Sequence, residues 1–301
     1  MNYTKCNVCP RGCTVDRTKG VGFCASGDRV KIARASRHFW EEPCISGTNG
    51  SGTVFFSGCN LKCVFCQNEK ISRGLVGKEL SDEQLSELFL IINGSGVHNI
   101  NLVTPTHFLP SILNALKPIK NELKIPVVYN CSGYENEKLI LECQDIIDIF
   151  LTDIKYKSSF LSSKYSSCPD YFQVATNALE RMVQVAGKPN IENGLMESGV
   201  IVRHLVLPSH KNDSTEILEA LFERFGNSSF LVSLMSQYTP MNACKSFPEI
   251  NRPLTSLEYK RVVEVYEKLG FDGYLQEKSS ATDAYIPDFD DCGEFLSNFI
   301  I

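Results

Sequence analysis

With 301 residues, 43% of them hydrophobic and 22% charged, the chain has the make-up of an ordinary globular protein, enough for one large domain or two smaller ones. Its net charge of −5 and isoelectric point near 5.6 argue against bulk binding to nucleic acid or an anionic membrane, leaving room only for a local basic pocket. The opening MNYTKCNVCPRGC lacks an apolar h-region, and no apolar run approaches the ~20 residues of a membrane span, so a cytoplasmic protein is expected.

Residues 1–52 stand apart from the rest of the chain. They hold Cys6, Cys9, Cys13 and Cys24, a basic segment over 29–37 and the glycine-rich stretch SGTNGSG. They read as a small cap stapled by metal, too short to bury a core of its own. From residue 53 strand-like and helix-like stretches alternate. TVFFS precedes a cysteine loop, and SDEQLSELFLII is a helix capped by Ser81. NINLVT, a helix over 109–120, IPVVYN, ENEKLILECQ and DIFLTDIKY come next in turn. A long helix over 171–186, then GVIVRHLVLP, DSTEILEALFERFG, FLVSLMSQ, SLEYKRVVEVYEKLG and GYLQE complete the series.

Nearly continuous apolar strands alternating with helices imply an α/β fold with a parallel sheet. About six such units in succession fit an open partial (β/α)6-type TIM barrel with a C-terminal extension over residues 53–301, with the cysteine-rich extension before it. A doubly wound sheet is the alternative, weakened by the absence of a glycine-rich dinucleotide fingerprint. The unusual residues come at strand end after strand end: Cys59, Thr104 to His107, Asn130 to Ser132, Asp153, then Gln237 and Tyr238. Chemistry at successive strand ends is the habit of a barrel.

Thirteen cysteines in a reducing compartment point to metal or redox chemistry rather than disulfides. Cys44, Cys131, Cys143, Cys168, Cys244 and Cys292 are scattered and read as small buried hydrophobes. The loop SGCNLKCVFCQN places Cys59, Cys63 and Cys66 at offsets of four and three residues. A loop of this length presents three thiolates to one compact cluster. Zinc normally recruits a fourth protein ligand, whereas an iron–sulfur cube held at three irons leaves one iron open.

The C-x3-C-x2-C loop after the first strand of a βα series resembles the signature of the radical SAM (S-adenosylmethionine) superfamily. HFWEEPCISG followed by SGCNLKCVFCQNEKIS is similar to the subgroup named for pyruvate formate-lyase activating enzyme (PflX-like). The resemblance implies a [4Fe–4S] cluster on Cys59, Cys63 and Cys66, with SAM chelating the fourth iron. It also implies reductive cleavage of SAM to a 5′-deoxyadenosyl radical, which abstracts hydrogen from the substrate. A zinc staple completed by a distant ligand is the bland alternative.

The same resemblance extends to the later strand ends. Where such proteins carry a GGE-like segment, this chain reads VTPTHF, offering Thr104, Thr106 and His107 as partners for SAM, or a turn in which Thr106 caps the next helix. YNCSGYE resembles the asparagine turn of glycyl-radical activases and assigns Asn130 and Ser132 to the SAM pocket. In DIK, Asp153 and Lys155 share a strand face; by resemblance Asp153 accepts from ribose hydroxyls and Lys155 neutralises a carboxylate, a structural ion pair being the alternative. Arg203 is the inward candidate of VIVRHLVLP and His204 packs beneath a helix. Gln237 lies beside Tyr238, where activases tend to carry a histidine, and Phe65 is the aromatic neighbour of adenine.

The quartet Cys6, Cys9, Cys13 and Cys24, spaced C-x2-C-x3-C-x10-C, is a metal signal that suits zinc or a second, fully ligated iron–sulfur cluster. The partners implied are an electron donor of flavodoxin or ferredoxin type and a protein or peptide substrate, a glycine residue first among them; nucleic acid and membrane are not expected. Radical modification of another peptide or a small molecule is the rival within the class. Outside it stand an iron–sulfur electron carrier, which leaves DIK and YNCSG unexplained, and a zinc-stapled binding module, which the acidity disfavours.

Overall fold

The computed structural model describes residues 3–276 and 287–299. The strands are β1 (Val30–His38), β2 (Ser51–Phe56), β3 (Lys78–Leu80), β4 (Ile100–Val103), β5 (Val127–Cys131), β6 (Ile149–Asp153), β7 (Asn190–Glu192), β8 (Leu195–Leu205), β9 (Leu231–Met235) and β10 (Gly273–Leu275). They form one sheet in the order β10-β9-β8-β6-β5-β4-β2-β1-β3, with β7 paired to β8. From β2 to β10 every neighbouring pair along that path is parallel.

That order decides between the two architectures. Each parallel strand is added on the same side of the one before it, so the order never reverses. Right-handed crossovers then put every connecting helix on one face, and the sheet curls around the other. A doubly wound sheet needs a reversal point, and this sheet has none. The result is an α/β part-barrel, open between its two edges.

α1 (Pro43–Ser46) lies inside the curl, and α2 (Glu69–Ser72) comes after the cysteine loop. The helical layer is built from α3 (Asp82–Asn93), α4 (Leu109–Leu116), α5 (Glu137–Leu141), α6 (Ser159–Ser166), α7 (Tyr171–Ala186), α8 (Lys211–Phe225) and α9 (Ser256–Leu269). Ser81 and Thr255 start α3 and α9 with full capping boxes, satisfying backbone donors that a helix leaves orphaned. The helix expected over 109–120 tightens into a 3-10 helix at Lys117–Glu122, where Pro118 cannot supply the backbone donor that a continued α-helix requires.

Alternation along the strands sorts residues to the two faces. Val54, Leu102, Tyr129, Phe150, Val202 and Leu234 join the main core beneath the helices. Val128, Ile149, Leu151 and Ile201 face inward and pack with Cys44 and Ile45 of α1, forming an apolar floor inside the barrel. The next inward positions up the strands are Asn130, Asp153 and Arg203, so polar groups begin where the floor ends.

The sequence sets residues 1–52 apart, yet β1 pairs antiparallel with both β2 and β3, and the expected division at residue 52 falls inside β2. The segment before β1 contributes no strand to the sheet among the described residues. The basic residues of β1 obscured it, because their partners are far away in sequence. Arg34 reaches Asp291 at 3.0 Å and Arg37 approaches Glu294 at 3.9 Å. The stretch around these acids lies along β1, with Ala35 N–H donating to Cys292 O and Phe295 N–H to Ala35 O. Among the described residues no helix is long and apolar enough to cross a membrane.

The floor carries a stability prediction. Ile45 is fully buried, so Ile45→Ala is expected to destabilise the protein by about 2–5 kcal/mol, measured by urea unfolding. An unchanged midpoint would mean that α1 is not part of the barrel core.

Candidate functional site

The loop after β2 is fixed before any ligand is considered. Gly58 has φ +95°, and a Cβ there would lie 2.3 Å from Ser26 Oγ and 2.5 Å from Cys24 O, so only glycine fits. Asn60, buried, donates from Nδ2 to Tyr134 O at 2.7 Å. Val64 N–H donates to Tyr165 O, and Ser166 Oγ lies 3.0 Å from Cys63 Sγ. Burial pushes the Cys59 thiol up to about 12 and raises that of Cys66 as well. Cys63 and Cys66 line a cavity of about 340 Å³, within the range of small-molecule sites.

A charged array lines the same cavity, starting beside Cys63. Asp153 and Arg203 are register partners on β6 and β8. Arg203 Nε donates to Asp153 Oδ1 at 3.1 Å, Nη1 to Glu41 Oε2 at 3.0 Å, and Nη2 to Asn130 Oδ1 at 2.5 Å. Lys155 Nζ meets the other Asp153 oxygen at 2.5 Å. Asn130 and Asn101 both donate to Glu41 Oε1, at 3.1 and 2.9 Å. Burial alone would push the Asp153 carboxyl up; the charges of Lys155 and Arg203 outweigh it and hold the carboxyl below its ordinary range. Lys155 is held up by Asp153 and by the neighbouring Cys63, against the effect of burial. The array thus runs from the cysteine loop into the barrel.

Of the residues singled out from sequence, Phe65, Asn130, Asp153, Lys155, Arg203 and Gln237 line this cavity together with Cys63 and Cys66. Thr104, Thr106 and Ser132 do not. Thr104 has φ +59°, with its N–H on Asn130 O. Thr106 is buried and donates to Glu135 Oε1 at 2.7 Å, while Tyr129 OH donates to Oε2 at 2.9 Å. Burial pushes the Glu135 carboxyl up to about 7. Ser132 Oγ lies 3.5 Å from Asn60 Oδ1, against the cysteine loop. The turn it belongs to needs Gly133, whose φ is +82° and whose Cβ would sit 2.2 Å from Asp153 O. His107 places Nε2 2.9 Å from Ser57 O, which can only accept, and burial pushes the ring down to about 3, so it donates as a neutral imidazole. His204 is on the opposite face from Arg203, with Nδ1 2.7 Å from Ile154 O. Tyr238 turns its hydroxyl away to Ile250 O at 2.7 Å.

Two residues that the sequence reading passed over are central. Glu41 completes the coordination of Arg203. Glu42 is 8% exposed and lines the cavity, and among the described residues its Oε2 has no hydrogen-bond partner. Burial, more than offsetting the attraction of Arg203, raises its carboxyl above the ordinary range. The signal was present in HFWEEPCISG: two adjacent acids just before a proline and an apolar turn.

The residues present fit an open-sided cluster. Cys59, Cys63 and Cys66 share one loop held by Gly58, Asn60 and Val64, two of them open onto a cavity, and Lys155 brings positive charge beside Cys63. The family model for the radical SAM superfamily matches residues 53–159. An uncharacterized protein of Methanocaldococcus jannaschii is 31% identical over 284 residues, covering 90% of this chain and 76% of that protein. The chain belongs to the radical SAM superfamily, whose members are enzymes that use an iron–sulfur cluster and SAM. Its fold is similar to a radical SAM methyltransferase from Sphaerobacter thermophilus, with TM-score 0.53, 14% identity, and 74% of this chain and 65% of that one covered. It is also similar to HydG, a maturase of the [FeFe]-hydrogenase, with TM-score 0.50, 16% identity, and 72% and 49% covered. The chain thus spans about half to two thirds of these solved structures.

The two acids predict opposite pH behaviour. The lowered Asp153 carboxyl contributes stability above its unfolded value of 3.8, lost as pH falls through the lower folded value. Asp153→Asn is therefore expected to cost about 3 kcal/mol at pH 7, by urea unfolding, with the deficit shrinking in acid. The raised Glu42 carboxyl favours the fold below its unfolded value of 4.5 and loses that advantage as pH rises. Glu42→Gln is expected to be about 1 kcal/mol more stable than the native protein at pH 7, and equal to it near pH 4.

Proposed function

We propose that this chain is a radical SAM enzyme of the PflX-like subgroup, in which Cys59, Cys63 and Cys66 hold a [4Fe–4S] cluster and the adjoining cavity holds S-adenosylmethionine. One observation carries the reading: a three-cysteine loop opens onto a cavity lined by the Lys155–Asp153–Arg203–Glu41 array, which begins beside Cys63. When bound, the cluster and SAM supply a 5′-deoxyadenosyl radical able to take a hydrogen atom from a substrate.

The chain's own residues bind and orient. Lys155 has donors left over after Asp153 and stands beside Cys63, so it neutralises the carboxylate of SAM. Each Asp153 oxygen retains a lone pair after its cation contact and accepts from ribose hydroxyls. Phe65, wedged 6.1 Å from Tyr238 and 6.3 Å from Tyr156 by ring centroids, offers a fixed aromatic surface for adenine. Gln237, hydrogen-bonded to Gln276 at 3.0 Å, presents an amide at the same wall. Phe55, Val103 and Met235 add apolar surface to the lining and limit water at the reacting centre.

The substrate class assigned is a protein glycine, as in glycyl-radical activation, with a flavodoxin- or ferredoxin-type donor supplying the electron. The rim supports a polypeptide: Trp40 lines the cavity yet is 59% exposed, and its neighbour Phe39 is 47% exposed. Aromatic groups so placed suit a peptide chain entering the site.

Anaerobic reconstitution, followed by SAM and a strong reductant, is expected to yield 5′-deoxyadenosine, and Cys63→Ala to abolish it. Trp40 is the single tryptophan, so its fluorescence reports SAM binding; Lys155→Met is expected to weaken that binding about tenfold to a hundredfold. Iron-loaded protein that never cleaves SAM under reducing conditions would sink the reading. The glycine assignment is tested separately, by deuterium transfer from α-deuterated glycine in a peptide to 5′-deoxyadenosine.

A further inference from the structure

The four thiols before β1 take no part in the cavity. Their segment is doubled back on itself: Cys6 N–H donates to Val15 O, Thr14 N–H to Cys6 O, and Gly12 N–H to Cys9 O, at 3.0, 3.0 and 3.1 Å. Cys13 Sγ and Cys24 Sγ each lie 3.5 Å from where a Cβ on Gly22 would stand, so the bare glycine leaves the two sulfurs facing one hollow.

A second, independent observation is Arg17, 2% exposed. It donates to Ser26 O at 3.1 Å, to Gly27 O at 2.9 and 2.5 Å, and to His107 O at 2.7 Å. Its guanidinium lies 4.5 Å from the Tyr3 ring and 5.3 Å from that of Phe108, and Nη1 is 3.8 Å from Cys6 Sγ. Among the described residues none of its contacts is an ion pair with a carboxylate. A buried cation needs a counter-charge, and carbonyls, rings and neutral thiols carry none. Four thiolates around a doubly charged centre leave a net negative charge beside it.

We propose that Cys6, Cys9, Cys13 and Cys24 hold a fully ligated iron–sulfur cluster, which Arg17 balances and which braces the three-cysteine loop; among the described residues no three such side chains are placed to hold a single metal ion, so a cluster fits where zinc does not. The brace is direct. Cys59 N–H donates to Cys24 O at 3.2 Å, Gly58 is pressed against Cys24 and Ser26, and Arg11 Nε donates to Asn60 O at 2.8 Å. Fixing Cys24 therefore fixes the start of the loop.

The test is metal analysis of anaerobically purified protein, which does not depend on SAM cleavage and so fails or succeeds apart from the proposed function. Cys13→Ser and Cys24→Ser are each expected to lose about four irons per chain, a complement that Cys63→Ser retains. Retention of all iron in both variants, or one zinc per chain in place of those irons, overturns the proposal. Because those variants can misfold, the native loaded protein is also treated with a maleimide. The four thiols are expected to resist labelling until the metal is stripped, and ready labelling of all four overturns the site. Arg17→Met is expected to release this metal to a chelator about tenfold faster. Backbone amides over 57–62 are expected to exchange hydrogen at least tenfold faster in the stripped protein, and unchanged exchange overturns the brace.

Discussion

Arg203 is a charge placed inside a sheet, and the arrangement around it is what makes that placement tolerable. A guanidinium taken out of water is expensive unless its donors find acceptors and its charge an opposite one. Asp153 from the neighbouring strand, Glu41 from the β1–α1 connection and Asn130 two strands away supply both. Three separate parts of the chain are thereby held to one point. Because Lys155 is tied to the same aspartate, its position next to Cys63 is a consequence of the same knot.

The apolar floor makes the knot possible. Val128, Leu151 and Ile201 occupy the inward positions just below Asn130, Asp153 and Arg203, and α1 plugs the space between them. The short helix thus has two tasks. It seals the lower barrel, and it aims Glu41 and Glu42 upward into the polar layer. Glu42 is the exception in this well-matched layer, a carboxyl with one oxygen unanswered. An unsatisfied buried acid reduces stability, and its presence on the wall of a binding cavity is the pattern of a site shaped for a ligand rather than for the fold.

Much of this was legible in the sequence, and the exceptions have physical causes. The βα rhythm and the spacing of Cys59, Cys63 and Cys66 are local patterns, and local patterns survive in one dimension. Strand alternation likewise separates Arg203 from His204. β1 was missed because its charged residues are satisfied by Asp291 and Glu294, about 250 positions later. Glu41 was missed because its meaning lies in a residue on β8. Thr106 looked available until Glu135, hidden within an apparently ordinary turn, was seen to hold it. In each case the misleading feature is a polar residue whose partner is distant.

The stretch from 287 to 299 that lies along β1 bears on how the molecule comes into being. Synthesis runs from the N-terminus, so β1, the cysteine quartet and the three-cysteine loop leave the ribosome while the acids that neutralise Arg34 and Arg37 are still untranslated. For most of translation that side of the nascent sheet is uncovered, and the thiols beside it are at their most accessible. The chain therefore offers its sulfur ligands early and covers that side late, an order of events written into which ends of the sequence meet.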